Sequence, residues 1–128
     1  MHPHVVFLHN LENGHTSNVN VVKFSPGGKQ LASGGDDHKI ILWEKKEKPI
    51  FGTESREYLW APKQILLGHI LDVVDLKWFP GGKHILSGSV DNSAILWSVE
   101  KGKQLMRIEH NHYVQGVAVD PFEKYFLT

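Results

Sequence analysis

His15, Ser33 and Asp37, followed by Trp43, have the residue types of a hydrolytic triad: a hydroxyl nucleophile, an imidazole base and a carboxylate to orient it. His69, Ser87 and Asp91, followed by Trp97, recur 54 residues later in the same order and spacing. A structural repeat requires such a recurrence and a single active site does not, so both sets are read as structural, with no catalytic residue assigned. Nine histidines among many carboxylates also invite a metal site. His110 and His112 would share one side of a strand, yet no third ligand stands at a diagnostic spacing, so no metal is assigned. With no cysteine there is no thiolate zinc site, thiol nucleophile or disulfide. Gly27-Gly28-Lys29 and Gly81-Gly82-Lys83 lack the full phosphate-loop pattern and read as turns between strands. No cofactor and no small-molecule substrate follow from any of these motifs.

Length and charge narrow the classes further. The 128 residues suit one domain, and 14 basic side chains cancel 14 acidic ones. A neutral chain has no long-range field to gather phosphate backbone, which argues against a dedicated, sequence-specific nucleic-acid binder. No apolar run reaches the roughly 18 to 20 residues that span a bilayer, and Met1-His2-Pro3-His4 does not open a secretion signal. An intracellular, membrane-free setting is expected, consistent with the lack of Asn-x-Ser/Thr acceptors.

The elements that would position the His, Ser, Asp and Trp side chains come from the duplication. Gly14 to Trp43 aligns without a gap on Gly68 to Trp97, with 14 identities in 30 positions. A third copy begins at an offset of 41, where His110, Val114, Val117, Val119, Pro121, Lys124 and Thr128 follow the same order. Apolar residues come in short β-branched and aromatic runs between turn residues, never at helical spacing over ten positions. Strands are expected at Val19 to Phe24, Gln30 to Gly34, Lys39 to Trp43 and Gln64 to Leu67, then at Val73 to Trp78, His84 to Gly88, Ser93 to Trp97 and Gln104 to Ile108. Val5 to Leu8 reads as the last strand of an earlier unit, and the total is about eleven strands with no helix. Residues 44–63 account for the longer first period and read as an inserted, charge-rich surface loop with Pro49, Gly52 and Pro62.

A Gly-His pair, a Ser, a turn Asp and a strand-closing Trp at this period resemble the WD-repeat family of β-propellers. The resemblance implies an all-β propeller segment with four antiparallel strands per blade. It implies that His contacts the turn Asp and the Ser, and that the Ser reaches the indole N–H, tying one blade together. His15, Ser33, Asp37 and Trp43 would form one such network, His69, Ser87, Asp91 and Trp97 a second, and His110 and Thr128 would begin a third. Blade units would span about 14–67 and 68–108, with a partial unit at 109–128 and residues 1–13 ending a preceding blade. Two full units cannot close a ring of four to eight blades, so a longer propeller is expected.

Longer strings narrow the family. Val19 to Pro26, Leu31 to Asp37 and Ser89 to Trp97 resemble the WD-repeat middle subunit of chromatin assembly factor 1, and less closely the HIR-type histone regulators. Tyr113 to Val117 followed by Asp120-Pro121 favours the former. That resemblance implies a nuclear histone chaperone, a large partner subunit of the chromatin assembly complex, and core histones as cargo for replication-coupled deposition. Rival readings keep the fold and change the partner: a HIR-type chaperone, a signalling scaffold or a ubiquitin-ligase substrate receptor. Glu44 and Ser98 replace the Asp of the Trp-Asp pair, and Glu109 stands where Gly14 and Gly68 stand. Trp43, Trp97, Trp78 and Phe24 read as core or blade-to-blade packing. Phe51, Arg56, Tyr58 and Trp60, in the insertion, are the candidate partner-binding residues, because aromatics on an exposed loop make good anchors.

Overall fold

The computed structural model describes residues 14–54, 56–119 and 126–127. Two four-stranded antiparallel sheets dominate it. The first joins β1 (Val19–Phe24), β2 (Gln30–Gly35), β3 (Lys39–Pro49) and β4 (Arg56–Leu67) in that spatial order. The second repeats the arrangement with β5 (Val73–Trp78), β6 (His84–Ser89), β7 (Ser93–Ser98) and β8 (Lys103–Glu109). A third, two-stranded sheet pairs β9 (Ala118–Val119) with β10 (Phe126–Leu127). The expected strand at Val5 to Leu8 lies outside the described residues.

Each large sheet has central strands buried on both faces, which is why their buried stretches are made of apolar and small residues without charges. Successive side chains point to opposite faces of a strand. In β3, Ile40 and Leu42 face the second sheet, while Ile41 and Trp43 face away with Leu31 and Trp60. Ile40, Leu42, Ala32 and Leu66 pack with Val73, Leu76, Ile85, Ile95 and Trp97 to form the seam between the sheets. Beyond the second sheet, Leu86 and Ala94 pack with Val114 and Val117 of the next unit.

The seam is stitched by polar groups as well. Asn20 Nδ2 on β1 donates to the Val73 carbonyl on β5 at 3.0 Å and to Asp36 Oδ1 at 2.6 Å. Trp78 Nε1 on β5 donates to the Lys23 carbonyl on β1 at 3.0 Å. A Cβ at Gly34 would stand 2.6 Å from Val73 Cγ1, and one at Gly88 would stand 2.6 Å from Val114 Cγ1. Glycine at these two equivalent positions therefore makes room for a valine of the following unit.

Residues 44–63 are not a loop. β3 continues to Pro49 and β4 begins at Arg56, so the insertion is a two-stranded ribbon with a short turn at its tip. Gly52, at φ 81°, and the Thr53 N–H donating to the Ile50 carbonyl at 3.2 Å shape that turn. Charge and proline point to a loop, but a ribbon that is exposed over most of its length tolerates charges as readily. Pro62 costs little, because it sits opposite Trp43 on the outer strand, where the ladder already shifts register.

Candidate functional site

The tight turn after β2 delivers Asp37, and the one after β6 delivers Asp91. Each turn needs a left-handed residue one step later, supplied by His38 at φ 71° and Asn92 at φ 69°. The preceding connections bring His15 and His69 under these turns, with Gly14 and Gly68 lying against the indoles of Trp43 and Trp97. A Cβ at Gly68 would come within 2.7 Å of Trp97 Cη2, so the Gly of the Gly-His pair is a packing requirement.

In the first sheet, His15 Nδ1 lies 2.9 Å from both oxygens of Asp37, and His15 Nε2 lies 2.6 Å from Ser33 Oγ. Trp43 Nε1 donates to the same Ser33 Oγ at 2.8 Å. The second sheet repeats this. His69 Nδ1 is 2.9 Å from Asp91, His69 Nε2 is 2.7 Å from Ser87 Oγ, and Trp97 Nε1 donates to Ser87 Oγ at 2.8 Å. A neutral imidazole satisfies every group. Its Nδ1–H donates to the carboxylate, its Nε2 accepts the Ser O–H, and the Ser oxygen accepts the indole N–H. The Thr16 and Ile70 backbone N–H groups also donate to the two carboxylates, each at 3.0 Å.

The second network is larger. Ser93, where the first sheet has Lys39, donates its hydroxyl to Asp91 Oδ1 at 2.5 Å, and its N–H donates to the same oxygen at 2.9 Å. Arg107 stands opposite Ile95, where the first sheet has Ile65 opposite Ile41. Its guanidinium lies 3.7 Å from Asp91 and donates to the Gly68 carbonyl at 2.9 Å. Neither residue belongs to the expected sets. Ser93 is legible in the sequence, since Ser two residues after a turn Asp is a common local pairing. Arg107 is not, because only the β7–β8 register brings it there.

These environments set the protonation states. Burial depresses the His69 pKa below its ordinary value of 6.5, Asp91 pulls it back up, and the Arg107 charge lowers it further. Burial acts to raise the Asp91 pKa, but hydrogen bonds from Ser93, Ile70 and His69 outweigh it and hold the carboxyl at about 2. Asp37 is likewise lowered against its burial, by His15 and by the Thr16 and Lys39 N–H groups.

Chemically, the two sets have a triad's connectivity without its access. Ser33 and Ser87 are 0% exposed, and an indole N–H already occupies each hydroxyl oxygen. A substrate carbonyl has no approach to them. Among the described residues no three His, Cys, Asp or Glu side chains are placed to hold a metal ion. Thr128 of the third network lies outside the described residues, and His110 donates its backbone N–H to the Asn92 carbonyl at 2.7 Å.

The insertion residues separate. Phe51 is fully exposed at the ribbon tip, and Tyr58 is more than half exposed, with Lys45 Nζ 4.3 Å from its ring centre. Arg56 starts β4 at the tip end. Trp60 is not a surface anchor: it is 6% exposed, packs with Leu31, Ile41 and Trp43, and meets Phe24 edge-on at 5.8 Å between ring centres. Because Tyr58 and Trp60 lie two residues apart on one strand face, the ring nearer the sheet is the one that becomes buried. Of the other aromatics, Trp43 and Trp97 lie in the core, Trp78 spans the seam, and Phe24 is partly exposed beside Trp60.

The family model of the CAF1B/HIR1 β-propeller domain matches residues 2–128. A chromatin assembly factor 1 subunit of Gallus gallus is 45% identical over 97% of this chain, and that match covers 24% of the relative. The chromatin assembly factor 1 subunit FAS2 homolog of Oryza sativa subsp. japonica is 44% identical over 94% of the chain, covering 23% of its own length. Protein HIR1 of Eremothecium gossypii is 36% identical over 89% of the chain and 14% of its own length. The chain thus spans about a quarter of the length of the chromatin assembly factor relatives it matches. With two four-stranded blades packed through one seam and matched along nearly their whole extent, this chain belongs to the CAF1B/HIR1 β-propeller family.

Proposed function

We propose that these residues form consecutive blades of a non-catalytic WD-repeat subunit of a histone chaperone complex. The subunit works in the nucleus, in replication-coupled chromatin assembly, and acts through protein–protein contacts. Its partners are the large subunit of the chromatin assembly complex and the core histones. The blade units run over about 14–67, 68–108 and a partial 109–128, with residues 1–13 ending a preceding blade. The His15-Ser33-Asp37-Trp43 and His69-Ser87-Asp91-Trp97 networks serve rigidity and do no chemistry. They hold the loops at the blade ends still, so that many small contacts add without a large ordering cost.

The observation that carries this reading is the likeness, along nearly the whole chain, to proteins named as subunits of chromatin assembly factor 1. A HIR-type role is the second reading, supported by the shared family and the HIR1 relatives, and set second by their lower identity. A tagged pull-down of the complete polypeptide, with bound proteins identified by mass spectrometry, separates them. Core histones together with a large chromatin assembly subunit are expected. Recovery of partners without histones would overturn the chaperone reading and leave the propeller intact.

A further inference from the structure

The ribbon creates a strand edge that the second blade lacks. β2 covers β3 only from Ile40 to Glu44, whereas β4 follows β3 all the way to Pro49. From Lys45 to Pro49, then, one edge of β3 has no strand beside it among the described residues. A groove of about 410 Å³ runs along this edge, between it and the β1–β2 turn, lined by Gly27, Gly28, Lys29, Lys45, Glu47 and Tyr58. Gly27 and Gly28 leave that side of the groove open apart from Lys29, and an added Cβ at either would meet nothing within 4 Å. The second sheet carries the same Gly81-Gly82-Lys83 turn, but β7 ends at Ser98 and the chain returns at Lys103, leaving no ledge.

We propose that the Lys45–Pro49 edge accepts an extended acidic segment of a partner polypeptide as an added strand, seated in the groove against the Gly27–Lys29 turn. An open strand edge pairs with any extended backbone, so side-chain charge must choose the partner. Two lysines, Lys29 and Lys45, line the groove with one acid, Glu47, while the neighbouring Lys46 is paired with Glu44 at 3.4 Å, which leaves the groove with a surplus of positive charge. A second copy of the ribbon would set lysines against lysines, which disfavours self-pairing; an acidic segment meets complementary charge. Lys45 is held in place over the Tyr58 ring, so its ammonium is already oriented at the groove. The contact is independent of whether the complete protein handles histones.

The test is fluorescence anisotropy on the complete polypeptide with a labelled ten-residue peptide of alternating Glu and Val. The same peptide with a central proline, and an alternating Lys and Val peptide, serve as comparisons. Saturable binding of the acidic peptide alone is expected, weakened at least roughly tenfold by Lys45→Glu or Lys29→Glu and untouched by Lys83→Glu in the second blade. Far-ultraviolet circular dichroism of each variant shows that the fold is kept. Equal binding of the proline-interrupted or basic peptide, no binding of the acidic one up to about 1 mM, or undiminished binding by both groove variants would each overturn the proposal. Histone recovery in the pull-down reports on the chaperone reading alone, so the two can fail separately.

Discussion

The indole of Trp78 reaches across the seam to donate its Nε1–H to the backbone carbonyl of Lys23, 3.0 Å away and one whole blade earlier in the chain. It occupies the position that Phe24 holds in the first blade, so the repeat has turned one aromatic site into an inter-blade clasp. Replacing Trp78 by Phe keeps a ring at the seam and removes the donor. The expected loss is about 1 kcal/mol in urea unfolding of the complete protein, typical of a single partly buried hydrogen bond. An unchanged midpoint would mean that the bond contributes nothing beyond ring packing.

Ser87 holds its network together because both the Trp97 N–H and His69 Nε2 depend on one hydroxyl. Ser87→Ala strands two buried polar groups and is expected to cost about 2 to 3 kcal/mol. Trp97→Phe on that background removes one stranded donor. The double variant should therefore lose less than the two single losses added together. Strict additivity would refute the shared-hydroxyl arrangement.

Acid should unfold the second blade by two separable routes. His69 and Asp91 both have folded pKa values below their ordinary ones, so protonation favours the unfolded chain in each case and stability falls with falling pH. The His69 contribution is complete above 6.5 and declines as pH drops below that value. The Asp91 contribution is complete above about 3.8 and declines toward about 2. Urea midpoints measured across pH should show both declines, and His69→Gln should abolish the first and, by removing one of the interactions that lower Asp91, shrink the second without abolishing it.

Arg107 touches this balance from outside the repeat pattern. Its charge disfavours the imidazolium of His69, so Arg107→Gln should move the His69 titration upward in an NMR pH series. A titration that stayed in place, or moved down, would show that the guanidinium does not sense the imidazole.

Gly34 and Gly88 leave the space that Val73 and Val114 fill. Gly34→Ala forces a methyl group against Val73 and should cost roughly 1 to 3 kcal/mol through overpacking of the seam. Pairing it with Val73→Ala should recover part of that loss. A Gly34→Ala protein as stable as the parent would mean that the seam yields freely.

Much of this architecture is legible in the chain of residues. The duplicated Gly-His, Ser, Asp and Trp positions point to two like networks, because polar side chains repeated at matched strand ends can be buried only if the same bonds recur. The strands from Val19 to Phe24 and from Val73 to Trp78 follow from β-branched and aromatic runs, each closed by a turn containing Pro-Gly-Gly. The ribbon differs from the expected loop because charge and proline report exposure, and an exposed two-stranded ribbon is as compatible with them as a loop is. Trp60 departs from the expected surface position for a related reason. Local composition marks the segment as wet, whereas burial of one side chain depends on which ribbon face meets Leu31 and Trp43.

By itself, then, the sequence determined the repeat, the all-β class and the residues of both His-Ser-Asp-Trp sets, since periodicity and turn chemistry act over a few residues. Only the tertiary structure decided that Arg107 joins Asp91, that Trp78 clasps Lys23, and that, among the described residues, no strand lies beside β3 on its β2 side beyond Glu44. Those outcomes rest on strand register and on how one sheet stacks upon the next. They depend on groups well apart in the chain, where no local pattern records the distance.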